Sequence, residues 1–181
     1  MSRQEAFARI KQAYTELDSR ALASGSLPMR STERGFWGAS NLDDVYAFFE
    51  EKSFASSTRF LDLGCGDGRV VLVASLFVQA AGVEFDARLV EQAHSVADAL
   101  GMDVQLIADD MRNVDFSSYD VLYSYADQRW DFIKHKLLRE LDGELYCYHD
   151  TYHPRFLDKG RITWVGQIPI FLYTNPSSTD A

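Results

Sequence analysis

Three glycines, two carboxylates and a cysteine fall within Asp62-Leu-Gly-Cys-Gly-Asp-Gly68. Glycine at 64, 66 and 68 lets the main chain turn sharply and approach a ligand where any side chain would collide. A dinucleotide site spaces its glycines Gly-x-Gly-x-x-Gly and sets a pyrophosphate on the next helix. Here the spacing is Gly-x-Gly-x-Gly, and Asp62 and Asp67 would repel a pyrophosphate while attracting an ammonium or a sulfonium. The loop of Gly64, Cys65, Gly66, Asp67 and Gly68 therefore suits a nucleoside carrying a cationic amino acid.

Further carboxylates follow at intervals. Glu84 stands near the offset at which an acidic residue receives the two hydroxyls of a ribose. Phe85 beside it has two readings, a face for an adenine ring or ordinary core packing. Asp109 and Asp110 offer an acceptor for an exocyclic amino group, with Asp110 preferred, and Met111 offers an apolar face. Both Asp residues have a plainer reading as turn caps.

These residues need elements to hold them. Arg59–Leu63 reads as a strand, 64–68 as a turn and Val70–Phe77 as a helix. Ala80–Phe85, Val104–Ala108, Tyr119–Tyr125 and Glu144–His149 read as further strands, with helices over Leu89–Leu100 and Arg129–Leu141 between them. Strand–helix alternation predicts a doubly wound, mostly parallel α/β sheet with helices on both faces, and ligands bind at the carboxyl ends of such strands. Arg161–Gln167 and Ile170–Tyr173, separated by little more than Pro169, read as a closing hairpin. Phe7, Ile10, Tyr14, Leu17 and Ala21 make one apolar face of a helix over 2–23, and Asn41 or Ser40 caps another helix. The Gly- and Ser-rich stretch between Ser24 and Asn41 reads as a connector, whose Phe36 and Trp37 are either pinned on the core or used as a lid. The expected organisation is 1–40 as accessory helix and connector, 41–175 as the main domain and 176–181 as a flexible tail.

Composition narrows the partners. The 181 residues carry a net charge of −9 with no run of Lys and Arg, which argues against a nucleic-acid acceptor. Cys65 and Cys147 are too few for a disulfide framework or a zinc site, so no metal is expected. No stretch is long and apolar enough for a membrane span, and a cytoplasmic location is the default expectation.

Taken in order, the Gly-x-Gly-x-Gly loop, Glu84 and Asp110 resemble motif I and the two acidic posts after it in the class I, seven-strand S-adenosylmethionine-dependent methyltransferases, over residues 40 to 175. The resemblance implies a Rossmann-like sheet of seven strands whose C-terminal hairpin inserts an antiparallel strand. It implies S-adenosylmethionine as cofactor, with Asp62, Gly64, Cys65, Gly66, Asp67, Gly68, Glu84, Phe85, Asp109, Asp110, Met111 and Tyr125 around it. At the strand end that meets the acceptor, DNA-base and glutamine methyltransferases carry Asn or Asp before Pro-Pro-Tyr. This chain has Ser124-Tyr125-Ala126-Asp127, which argues against those activities. Gly68-Arg-Val-Val-Leu, Glu84-Phe85 and Leu89-Val90 are similar to small protein-lysine methyltransferases of archaea and mitochondria; where those carry a Pro- and Tyr-containing motif ahead of the loop, this chain has Gly35-Phe-Trp-Gly-Ala-Ser40. A lysine must lose its proton before it attacks, so Tyr125 and Asp127, with Tyr148, are the catalytic candidates. His149 and His153 are alternative bases or turn residues, and Trp130 and Trp164 read as core or interface. A small-molecule acceptor, a non-catalytic S-adenosylmethionine-binding domain and a dehydrogenase are the other readings.

Overall fold

Ser2 opens the first helix, α1 (Arg3–Ala23), with a reciprocal cap: its hydroxyl accepts from the Glu5 amide at 3.2 Å, and the Glu5 carboxylate accepts from the Ser2 amide at 2.7 Å. Two amides that a helix start leaves without partners are thereby satisfied. The computed structural model describes residues 1–33, 35–149 and 151–176, and of Arg30 only the backbone. The apolar stripe read from the sequence faces inward, with Ile10 and Tyr14 buried and Phe7 and Leu17 packed at its margin. The expected tail falls, beyond Pro176, outside the described residues.

The connector contains regular structure that its composition concealed. β1 (Met29–Thr32) and β2 (Gly35–Gly38) pair antiparallel as a separate two-stranded sheet, with Ser31 opposite Phe36. Glycine lowers intrinsic strand preference, but cross-strand pairing and the surface beneath decide the outcome.

A second sheet of seven strands makes the body. It comprises β3 (Arg59–Leu63), β4 (Gln79–Glu84), β5 (Gln105–Ala108), β6 (Val121–Ser124), β7 (Glu144–Tyr148), β8 (Asp158–Val165) and β9 (Ile168–Thr174), in the spatial order β5-β4-β3-β6-β7-β9-β8. The pairs from β5 to β7 are parallel, and β9 runs antiparallel between β7 and β8. Strand order reverses between β3 and β6, the place where a doubly wound sheet opens a ligand crevice. This is the Rossmann-like sheet expected from the sequence. Pro169 lies inside β9 rather than between strands; the β7 ladder stops at Ile170, and on that side only the Pro169 carbonyl is used, accepting from the His149 amide at 3.0 Å.

Four helices pack on this sheet beside α1's long span: α2 (Leu42–Lys52), α3 (Arg69–Ala74), α4 (Ala87–Leu100) and α5 (Lys134–Glu140). Asn41 caps α2 by accepting from Asp43 and Asp44, and Gly101 ends α4 in the left-handed region at φ 67°. The helix expected over Arg129–Leu141 splits into a 3-10 turn at Trp130–Ile133 and the shorter α5, and that expected over Val70–Phe77 stops at Ala74. Period-two alternation along β3 divides the core. Phe60 joins the side covered by α1, α2 and α3, while Leu61 and Leu63 join the side covered by α5 and the 3-10 turn.

Candidate functional site

At the carboxyl end of β3 the chain enters the glycine loop, where Gly64, Gly66 and Gly68 adopt φ values of 78°, 55° and 77°. L-residues with a Cβ rarely hold that backbone. The Gly64 and Cys65 amides donate to the Val83 carbonyl at 2.9 and 3.0 Å, which stitches the loop to β4. Above these strand ends lies a cavity of about 640 Å³, within the range usual for small-molecule sites. Asp62, Gly64, Cys65, Asp67, Glu84, Phe85, Asp109, Asp110 and Met111 contribute to its wall, whereas Gly66 lies under Trp37 and Gly68 against Ala93. The structure thus brings together residues that lie up to fifty positions apart in the chain.

Their chemical states differ. Asp62 is 3% exposed; burial foremost, and then the charges of Glu84 and Asp67, raise its carboxyl well above the ordinary range. No cationic side chain pairs with Asp62 among the described residues. Glu84 accepts from the Gly66 amide at 3.1 Å and the Asp86 amide at 2.8 Å, so the first acidic post also shapes the loop. Asp67 lines the cavity, but its carboxylate is engaged by Arg69 at 2.6 Å. Arg69 in turn reaches Asp18 of α1 at 3.0 Å, and the Tyr14 hydroxyl donates to the Asp67 carbonyl at 2.7 Å. Burial opposes the charge on Arg69, and the two carboxylates outweigh it and hold the guanidinium protonated.

Asp110 caps the turn at Met111–Asn113 and pairs with Arg112 at 2.6 Å, while Asp109 accepts from the Asp110 amide and from Asn113. Both line the cavity while serving as turn caps. Phe85 is 38% exposed on the wall and absent from the core, which removes its packing reading.

Across the crevice the end of β6 presents Tyr125 and Asp127. Tyr125 is 43% exposed, edge-on to Tyr148 with ring centroids 5.1 Å apart. Asp127 accepts from the backbone N–H of Phe36, and a Cβ at Gly35 would overlap its carboxylate. Asp127 thereby fastens the β1–β2 hairpin over the cavity, with Trp37 laid against Gly66 so closely that a Cβ there would overlap the indole. Phe36 and Trp37 both line the cavity, which answers the lid-or-core question in favour of a roof. Tyr148 points elsewhere and donates to Asp44 at 3.1 Å. His153 contacts the Tyr173 hydroxyl at 2.5 Å and lies edge-on to Phe171, a packing role. Trp130 is buried with its indole N–H on the Tyr152 carbonyl at 3.1 Å, whereas Trp164 is 61% exposed and belongs to no core cluster.

Residues 60–143 match the family model described as a methyltransferase domain. The match runs from β3 through α5 and so takes in the glycine loop and the parallel strand ends around the cavity. Among solved structures, an RNA methyltransferase from Salinibacter ruber, in complex with S-adenosyl-L-homocysteine, is 19% identical with a TM-score of 0.66, over 78% of this chain and 96% of its own. A variant of MtNAS in complex with S-adenosylmethionine is 16% identical with a TM-score of 0.61, over 74% and 62%. Magnesium protoporphyrin IX methyltransferase from Synechocystis PCC 6803 is 14% identical with a TM-score of 0.56, over 75% and 78%. Likenesses at this identity establish the shared fold. No curated protein matches the sequence.

Two features of this site escaped the sequence reading. The Tyr14–Asp67 and Asp18–Arg69 contacts join residues more than fifty positions apart, and no local pattern announces them. Tyr123 is 1% exposed and lines the cavity, and its hydroxyl has no hydrogen-bond partner. Leaving such a group unpaired costs about 1–3 kcal/mol. Its register opposite Asp62 across β3 and β6 is the signal that was available, once the strand order is known.

Proposed function

We propose that this chain holds S-adenosylmethionine in the cavity at the ends of β3 to β6 and passes its methyl group to an amine, with a protein lysine as acceptor. The observation that carries the reading is Asp62: a buried carboxyl group with no cationic partner among the described residues, beside Gly64, whose missing side chain leaves the cavity wall open. A cationic ligand lets that carboxyl ionise in place, and the ammonium end of S-adenosylmethionine supplies one. Glu84 keeps lone pairs beyond the two amides it accepts, enough for a ribose diol. Phe85 and Met111 flank the place for the adenine, and Asp110 takes its amino group. Gly64, Cys65, Gly66, Asp67 and Gly68 cradle the chain between them.

S-adenosylmethionine, when bound, supplies a methyl carbon already activated by its sulfonium. The protein's tasks are then to align the acceptor, keep water out and let the amine lose its proton. Tyr125 flanks the reacting nitrogen, and the exposed rings of Phe36, Tyr125 and Phe132 at the cavity wall suit an aliphatic ammonium. A dry aromatic setting lowers a lysine's pKa from about 10.4 towards neutrality. Asp127 acts through the hairpin it fastens, as a positioning residue. A second reading, a small-molecule acceptor, is favoured by that same roof, which narrows access to the cavity.

Calorimetric titration with S-adenosylmethionine, S-adenosylhomocysteine and NAD tests the donor. Saturable binding of the first two without NAD is expected, and NAD binding alone overturns the reading. Transfer of labelled methyl to the protein fraction of an extract, abolished by lysine acetylation, supports the lysine acceptor; label confined to low-mass compounds replaces it with the small-molecule one.

A further inference from the structure

Asp62 and Glu84 set two carboxyl groups beside the glycine loop, with Asp67 paired to Arg69, an arrangement that suits an ammonium and offers nothing to the carboxylate that shares the same amino-acid end. That carboxylate needs a hydrogen-bond donor of its own. Most polar groups around the cavity are already occupied: Arg69 by Asp67 and Asp18, Ser124 by the Leu63 carbonyl at 3.0 Å, the Gly66 amide by Glu84, and the Phe36 amide by Asp127. Among the buried polar side chains of the described residues that line the cavity, Tyr123 is the exception. Its hydroxyl lacks a partner, bulk solvent does not reach it, and its ring is fixed between Phe48, Phe60 and Tyr148 at centroid distances of 5.9, 5.9 and 6.4 Å. Parallel register sets it beside Asp62, on the same face of the sheet.

We propose that the Tyr123 hydroxyl donates the hydrogen bond that holds the α-carboxylate of the methyl donor, while Asp62 takes the ammonium. This assignment rests on the S-adenosylmethionine reading above and adds a residue to it. A phenol suits the task because it donates without adding a positive charge that would compete with the ammonium for Asp62. Its ring needs no reordering on binding, since packing has already fixed it.

The test compares the parent and Tyr123→Phe for binding of S-adenosylhomocysteine and its decarboxylated analogue by calorimetry, with thermal unfolding of each ligand-free protein. The parent is expected to prefer the carboxylate-bearing ligand, and Tyr123→Phe to lose about tenfold of that preference, as for a hydrogen bond to a charged group. Binding of the decarboxylated analogue stays unchanged, and ligand-free stability does not fall, because no hydrogen bond is lost. An unchanged preference, or equal weakening for both ligands, overturns the assignment. Tyr123→Leu supplies a second variant: equal loss of preference there supports the hydroxyl's role, and retained preference refutes it. A parent that binds neither ligand overturns the S-adenosylmethionine reading itself, and with it this assignment.

Discussion

Asp62 illustrates how one residue ties binding to stability. Burial raises its carboxyl well above the ordinary range, so the folded, ligand-free protein holds a proton there more tightly than the unfolded chain. Stability from this group is therefore fully present below about pH 4 and is lost as pH rises through the raised folded value. Asp62→Asn should unfold at a higher temperature than the parent at pH 7, with the difference vanishing near pH 4 in a melting series. The same variant should bind S-adenosylmethionine at least about tenfold more weakly by calorimetry, since a charge-assisted contact is lost. Arg69→Met acts in the opposite sense. It strands the fully buried Asp67 without its partner and should cost about 3–5 kcal/mol in denaturant unfolding, whereas Asp18→Ala, at a partner 30% exposed, should cost under about 1 kcal/mol.

At the scale of elements, the β1–β2 hairpin is held over the cavity at two points. Phe36 is fastened to Asp127, and Trp37 lies on Gly66. Asp127→Ala should release the first contact and speed hydrogen exchange in residues 29–38 while leaving β3 to β7 protected. Gly66→Ala should act on the second, because a Cβ there meets the indole and the φ of 55° disfavours any side chain. Its expected signature is a changed tryptophan emission together with loss of donor affinity. A roof built from a hairpin explains why a reading of 24–41 as connector was incomplete. Gly25, Gly35 and Gly38 depress strand preference locally, and the contacts that stabilise the hairpin come from β6 and the glycine loop, distant in sequence.

Over the whole molecule, a net charge of −9 bears on the acceptor. A basic protein would be drawn in by that field, and its methylation rate should fall as salt rises from 50 to 500 mM, roughly the span over which screening shortens from above 10 Å to below 5 Å. A neutral metabolite should show no such fall. No helix among the described residues is long and apolar enough to cross a membrane.

The carboxylates and glycines around the cavity were legible because the sheet repeats one rule: each parallel strand ends at the same edge, so residues that follow successive strands are delivered to one crevice. Asp62, the glycine loop, Glu84 and Asp110 needed only strand boundaries to be gathered, and these followed from apolar runs and glycine turns. Strand order, the insertion of β9 beside β7, the anchoring of α1 through Arg69, the pairing of Asp127 with the hairpin and the unpartnered Tyr123 hydroxyl were decided by the tertiary structure alone. Each depends on which distant surfaces meet, and a side chain's chemistry in the sequence does not say whether its partner will be a ligand, another residue or nothing.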